Sequence, residues 1–196
     1  MDLGLSSGTK WAACNVGASK PSDYGLYFQW GDTQGYTASQ VGTGDGQKKF
    51  AKDWSGYKWN PSHDGKTFTK YTTFNTELEL EDDAAHINMG GNWHMPTSMQ
   101  FQELLDNTTN TWTKQDGVNG RLFTSTKNGK SIFIPAAGIA LDGSTKHSGD
   151  KCSIWLPELT IPLVYSGMEF FGNSNDAYLA GGTSRYCGYS IRGVIG

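Results

Sequence analysis

Residues 88–103, Asn-Met-Gly-Gly-Asn-Trp-His-Met-Pro-Thr-Ser-Met-Gln-Phe-Gln-Glu, leave the backbone few choices. Gly90 and Gly91 end a helix, because glycine enters the left-handed region at a helix terminus without steric cost. The Trp-x-x-Pro segment from Trp93 to Pro96 turns the chain. Thr97 then opens a second helix, with Gln100 three residues on. At that spacing each side chain satisfies an orphan backbone amide of the other, which is the capping box. Phe101, Leu104 and Leu105 fall on one face of this second helix, which runs to about residue 107. Trp93 sits in the joint, where so large a ring is costly to leave in water. The stretch carries architecture rather than chemistry.

The rest of the chain must pack around that corner. At 196 residues, with no Pro/Ser-rich linker and no charge run, it reads as a single domain spanning 1–196. Twenty-six glycines, 7 tryptophans and 9 tyrosines, with few long aliphatic runs, suit turns, short strands and aromatic contact surface. They do not suit a helical bundle or a parallel sheet of Val/Ile strands. A net charge of −3 with interspersed signs gives no footprint for nucleic acid. No apolar run reaches the length of a membrane span, and the opening Met-Asp-Leu-Gly-Leu lacks the features of a signal peptide. Cys14, Cys152 and Cys187 are odd in number and widely spaced, which predicts free thiols.

Residues 5–16 and the aromatic run 24–30 read as early strands, and 33–50 and 53–71 as loop pinned by Trp54, Tyr57, Trp59 and Phe68. A short helix is predicted over 80–89, with Leu80, Ala84 and Ile87 on its inner face and Asp82 and Asp83 at its positive end. Residues 111–114 form a short strand. Residues 121–126 and 131–135 form a hairpin around Asn128-Gly129, the strongest short hairpin signal. Residues 138–150 read as loop. Strand pieces follow at 152–155, 177–179 and 189–194, and the last strand returns beside the first. Strands, two helices, then short antiparallel strands make an α+β pattern.

Chemical motifs are sparse. His63, His86, His94 and His147 lack any zinc-ligand spacing, and no nucleophile elbow, phosphate loop or dinucleotide fingerprint occurs. Glu77, Glu79, Glu81, Asp82 and Asp83 are dense enough to raise calcium, although Glu-Leu-Glu-Leu-Glu alternation also suits a half-exposed segment. The remaining signal is aromatic. Between Trp155 and Tyr189 lie Tyr165, Met168, Phe170, Phe171, Tyr178 and Tyr186, interleaved with Gly, Ser, Asn and Thr. Aromatics supply contact area at low entropic cost and small polar residues supply adaptable hydrogen bonds, the composition of a paratope.

These segments resemble one family in series. Asp2-Leu-Gly-Leu5 followed by Lys10-Trp-Ala-Ala-Cys-Asn-Val-Gly-Ala18, Tyr24-Gly-Leu-Tyr-Phe-Gln-Trp-Gly-Asp32, Asp82-Asp-Ala-Ala-His86, Gly90-Gly-Asn-Trp-His-Met-Pro-Thr97, Ile132-Phe-Ile-Pro-Ala-Ala-Gly138 and Arg185-Tyr-Cys-Gly-Tyr-Ser-Ile-Arg192 are similar to C-type-lectin-like domains of the formylglycine-generating-enzyme (sulfatase-modifying factor) type, as found in Bacteroidetes surface proteins and in the variable proteins of diversity-generating retroelements. The resemblance implies two short helices, a small twisted antiparallel sheet, many long loops and adjacent termini. It implies a variable ligand-binding region over 152–192 on a fixed scaffold that includes Arg185, Ser190 and Arg192. Two departures matter. The nearby cysteine pair that holds copper in the enzymes is missing, and so are the calcium-and-sugar motifs of lectins proper.

The expectation is therefore a non-enzymatic ligand- or receptor-binding domain with a diversified C-terminal face. The alternatives are a non-diversified adhesin or pilus-tip module and, further off, a formylglycine-generating-type enzyme. The expected ligand-binding residues are Trp155, Leu156, Glu158, Tyr165, Met168, Phe170, Phe171, Asn173, Asn175, Ser184, Tyr186, Cys187 and Tyr189. No cofactor, metal, nucleic acid or membrane insertion is expected. The partner class is a protein or glycan at a cell surface, with the chain at the cell surface, secreted or on a phage virion.

Overall fold

In a computed structural model, which describes residues 1–73, 76–160 and 163–196, the capped corner is as read. Helix α2 spans Ser98–Asp106 with Thr97 as N-cap. The Gln100 amide donates to Thr97 Oγ1 at 3.2 Å, and the Thr97 amide donates to Gln100 Oε1 at 3.0 Å. Phe101 and Leu104 are fully buried. Trp11 meets the Phe101 ring edge-on at 4.9 Å.

The first helix is shorter than predicted. Asp83 is extended (φ −83°, ψ 111°) and divides residues 80–89 into a 3₁₀ turn, Leu80–Asp82, and helix α1, Ala84–Met89. Its carboxylate accepts from the His86 amide at 2.9 Å and from the Met95 amide at 2.8 Å, so it caps α1 and ties it to the corner. Aspartate at this position competes with the helix for backbone amides and wins. Leu80 and Ile87 consequently point outward, and Ala84 and Ala85 face the core.

Strand β1 (Lys10–Asn15) pairs antiparallel with β10 (Arg192–Ile195), closing the chain at its ends. β2 (Thr108–Gln115), β3 (Val118–Ser125) and β4 (Ser131–Pro135) form one meander. β5 (Ile139–Leu141) and β6 (Ser144–Lys146) form a hairpin where loop was expected. β7 (Cys152–Leu159), β8 (Ser166–Gly172) and β9 (Ala177–Ser184) form a second meander. The aromatic run 24–30 forms no strand; Tyr27 and Phe28 make only isolated bridges, to Tyr36 and Tyr189.

This overturns the α+β expectation. The described residues form ten strands in four small sheets against two α-helices of six and nine residues, a sheet-rich fold. The cause is local. Asp116-Gly117 and Asp142-Gly143 both take positive φ (50° and 82°; 54° and 68°) between directly paired strands, as two-residue hairpin turns require. The second of these turns adds strand where residues 138–150 are expected as loop.

One core cluster lies between α2, β4 and the β7–β8–β9 sheet, centred on Phe101, Phe123, Ile154, Leu156 and Phe170. A second is aromatic and gathers Trp30, Tyr57, Trp59, Phe68, Tyr71 and Tyr189 from irregular segments and Trp155 from β7. Two fully buried arginines brace the core, and among the described residues neither has a carboxylate partner. Arg192 donates to Asn15 Oδ1 at 3.0 Å and to the carbonyls of Ala12 and Phe133 at 3.0 and 2.7 Å. Arg185 donates to the Tyr71 carbonyl and lies 4.4 Å from the Phe68 ring and 4.9 Å from Trp30. Among the described residues no helix is long and apolar enough to cross a membrane.

Candidate functional site

Strand alternation sorts the C-terminal sheet into two faces. Cys152, Ile154, Leu156 and Phe170 point to α2, where Phe170 stacks on Phe101 at 4.4 Å. Ser153, Glu169, Phe171 and Thr183 point the other way, into a cleft of about 260 Å³. The β5–β6 hairpin and the segment after it form the opposite wall, through Ile139, Leu141, Lys146, His147 and Lys151. Tyr189 closes one end. Mutual backbone hydrogen bonds with Phe28 hold it there at 2.9 and 3.0 Å, and its ring lies 4.4 Å from that of Trp155.

Glu169 is the centre of this cleft. It sits on the middle strand, opposite Trp155 on β7 and Ala180 on β9. The β8–β9 register slips between Gly167 and Glu169, and Thr183 Oγ1 donates to Glu169 Oε1 at 2.6 Å. The Tyr189 hydroxyl lies 3.4 Å from the same oxygen. Gly167 leaves the space that lets the sheet approach: a Cβ there would meet Trp30 and Trp155 at 2.7 and 2.9 Å. Only 6% of Glu169 is exposed, yet Oε2 has no hydrogen-bond partner among the described residues. Burial pushes its carboxyl up to about 7, against the opposing pull of the Thr183, Tyr189 and Ser153 hydroxyls and of Lys151. An acid half-ionised at neutral pH, with its second oxygen buried and unpaired, therefore lines the cleft.

Neither a family model, nor a curated protein, nor a solved structure matches the chain. The residues themselves carry the functional argument.

The rim of the cleft is aromatic. Phe171 lies 5.1 Å from Tyr178, and Lys151 Nζ is 5.6 Å from the Phe171 ring. Tyr178 is 49% exposed. Asn175 is exposed at the β8–β9 turn, while Asn173 shapes that turn, its side chain accepting from the Asn175 and Asp176 amides at 2.8 Å.

The expected binding residues thus divide. Phe171 and Tyr189 line the cleft. Asn173 and Asn175 lie in the β8–β9 turn and Ser184 ends β9, none of them in the cleft wall. Tyr165 is 40% exposed before β8. Tyr186 is half-buried against Trp54 at 5.0 Å. Glu158 and Met168 line a different depression with Glu77 and Met99, where the Ser98 amide donates to Glu158 Oε1 at 2.6 Å. Trp155, Leu156 and Phe170 are corrections. Leu156 and Phe170 are inward strand positions, Trp155 lies on the Glu169 side of the sheet under the Tyr189 ring, and all three have no exposed surface and belong to the core. Cys187 is buried as well. Ile161 and Pro162, within the expected variable region, lie outside the described residues.

Glu169, Ser153, Thr183, Lys146 and Lys151 were missed. A signal for Glu169 existed: it is a lone acid at an alternating position in Ser-Gly-Met-Glu-Phe-Phe-Gly.

The acidic cluster is bridged internally by lysine. Glu79, Glu81 and Asp82 converge, and Lys70 Nζ occupies their centre at 2.7, 2.8 and 2.6 Å. Hydrogen bonds to Asp82, then Glu79 and Glu81, push the ammonium pKa up. Lys58 and the Tyr71 hydroxyl also reach Asp82, at 3.1 and 2.8 Å. A lysine thus stands where calcium was considered. All three cysteines are free; Cys152 and Cys187 pack in different core clusters, and burial pushes both thiols up to about 12.

Proposed function

We propose that the chain is a non-enzymatic ligand-binding domain, a retroelement-diversified variable protein whose C-terminal strands present an exchangeable face. The carrying observation is the split of the β7–β8–β9 sheet. Its inward layer, with Arg185 and Arg192, makes the frame. Its outward layer — Phe171 and Thr183 on the cleft wall and Tyr178 beside them, with Glu169 buried at the floor — has no ring in the core clusters and leaves Tyr178 exposed as contact surface. Rigid rings at the rim give area at low entropic cost, and a floor with an unpaired carboxyl oxygen gives specificity. The partner is a protein or glycan at a cell surface. Separate packing of Cys152 and Cys187 weighs against the copper-oxidase alternative.

The test is to sequence the gene in many independently sampled populations. Diversification predicts substitutions concentrated at the codons for Phe171, Asn175, Tyr178, Thr183 and Ser184, with Trp155, Arg185 and Arg192 unchanged. Substitutions spread evenly over exposed positions would reduce the reading to a non-diversified adhesin.

A further inference from the structure

The geometry points to the Glu169 cleft as a pocket for a small hydroxylated organic carboxylate, a sugar acid in size, whose carboxylate faces Lys146 and Lys151 and whose nearest oxygen meets Glu169 Oε2. The inference rests on the ligand-binding reading above and names the chemistry of that site.

Size comes first. At about 260 Å³ the cleft falls below the range that holds drug-sized ligands, so one sugar ring or a comparable acid is the scale it fits. Polarity comes second. A buried carboxyl oxygen without a partner costs free energy until a ligand supplies a hydrogen bond, and Glu169 Oε2 is such an atom. Ser153 and Tyr189 put further hydroxyls on the wall, while Ile139, Leu141 and Phe171 offer apolar surface for the carbon face of a ring.

Charge decides the class. Lys146 comes from β6 and Lys151 from the segment leading into β7, with His147 between them, and all three line the cleft. Lys146 is only loosely engaged, 3.9 Å from Asp142 with both side chains about 40% exposed. A cation entering the cleft meets these lysines. A dianion such as phosphate brings excess negative charge onto Glu169. A single carboxylate satisfies the lysines and tolerates a protonated Glu169, which donates from Oε2 to a ligand oxygen.

Proton linkage follows. The groups facing Glu169 are Thr183 and Tyr189 through their hydroxyls, Ser153 on β7, Lys151 and, across the cleft, Lys146 and His147; the buried Cys187 thiol also senses its charge. The protonated form is the binding form, so affinity is level below about pH 7 and falls about tenfold per pH unit above it.

The experiment titrates the full chain with D-glucuronate, following backbone amide resonances by NMR. D-Glucose serves as the uncharged counterpart and inorganic phosphate as the dianion. Glucuronate is expected to shift Ser153, Phe171 and Thr183 and to bind at least about tenfold tighter than glucose or phosphate, consistent with one charge-assisted contact. Lys151→Ala should weaken it about tenfold. Glu169→Gln, which keeps His147 and both lysines, should bind with the same affinity on either side of neutrality. Glucuronate binding no better than glucose, no shifts at tens of millimolar, or a wild-type pH profile in Glu169→Gln overturns the pocket. Those outcomes leave the population-sequencing result untouched, so the two readings fail separately.

Discussion

Replacing Glu169 by glutamine removes the one acid whose folded-state titration is displaced into the neutral range inside the cleft. Burial moves it from an ordinary 4.5 to about 7. At about 1.4 kcal/mol per pH unit, that displacement amounts to about 3 kcal/mol. The sign follows from linkage. Above about pH 4.5 the unfolded chain has released this proton while the folded chain still holds it, so stability falls as pH rises. The contribution is complete below about 4.5, declines through the window from 4.5 to about 7, and is flat above. Glutamine keeps an oxygen to accept from Thr183 and has no charge to lose. Urea denaturation of both proteins across this window isolates the effect, because all other titrating groups are shared. Their difference in unfolding free energy should shift by about 3 kcal/mol in favour of glutamine between the acid and alkaline ends. A difference that stays constant within about 0.5 kcal/mol would refute a neutral, buried Glu169.

Three further substitutions separate frame from face. Phe170→Ala deletes a fully buried ring stacked on Phe101 and should cost about 3–5 kcal/mol in urea denaturation, whereas Tyr178→Ala, on the exposed rim, should stay within about 0.5 kcal/mol. Arg192→Met leaves the Ala12 and Phe133 carbonyls and Asn15 Oδ1 without their donor, and a loss of about 3–5 kcal/mol is expected by the same assay. Thr97→Ala removes the cap of α2 and should cost about 1 kcal/mol, with the helix retained by circular dichroism.

What could be read from residues alone was the local chemistry with a single solution. The Thr97–Gln100 box, the Asn128-Gly129 hairpin and the pairing of the chain ends all depend on short-range signals or clear apolar runs. Asp116-Gly117 and Asp142-Gly143 were equally local, and overlooking them hid two hairpin turns and with them the sheet-rich character of the fold. The aromatic segments before residue 72 were harder. Their rings build a core cluster from irregular backbone, which periodicity does not encode. Asp83 looked like one of several helix-dipole acids, and only its bond to the Met95 amide shows why it interrupts the helix. The site followed the same rule. Composition pointed to the C-terminal third of the chain but not to the side of the strand. The rings of Phe170 and Phe171 are neighbours in sequence and lie on opposite faces of one sheet. Glu169 carries its character through Thr183 and Tyr189, fourteen and twenty residues away, which no sequence window unites.

The division of the C-terminal sheet into a fixed layer and a free layer is tested most directly by two matched libraries, each sorted for protease-resistant display. One randomises Phe171, Asn175, Tyr178, Thr183 and Ser184; the other randomises Trp155, Leu156, Phe170, Arg185 and Arg192. Most members of the first should fold and few of the second. Equal survival of the two libraries would contradict the account.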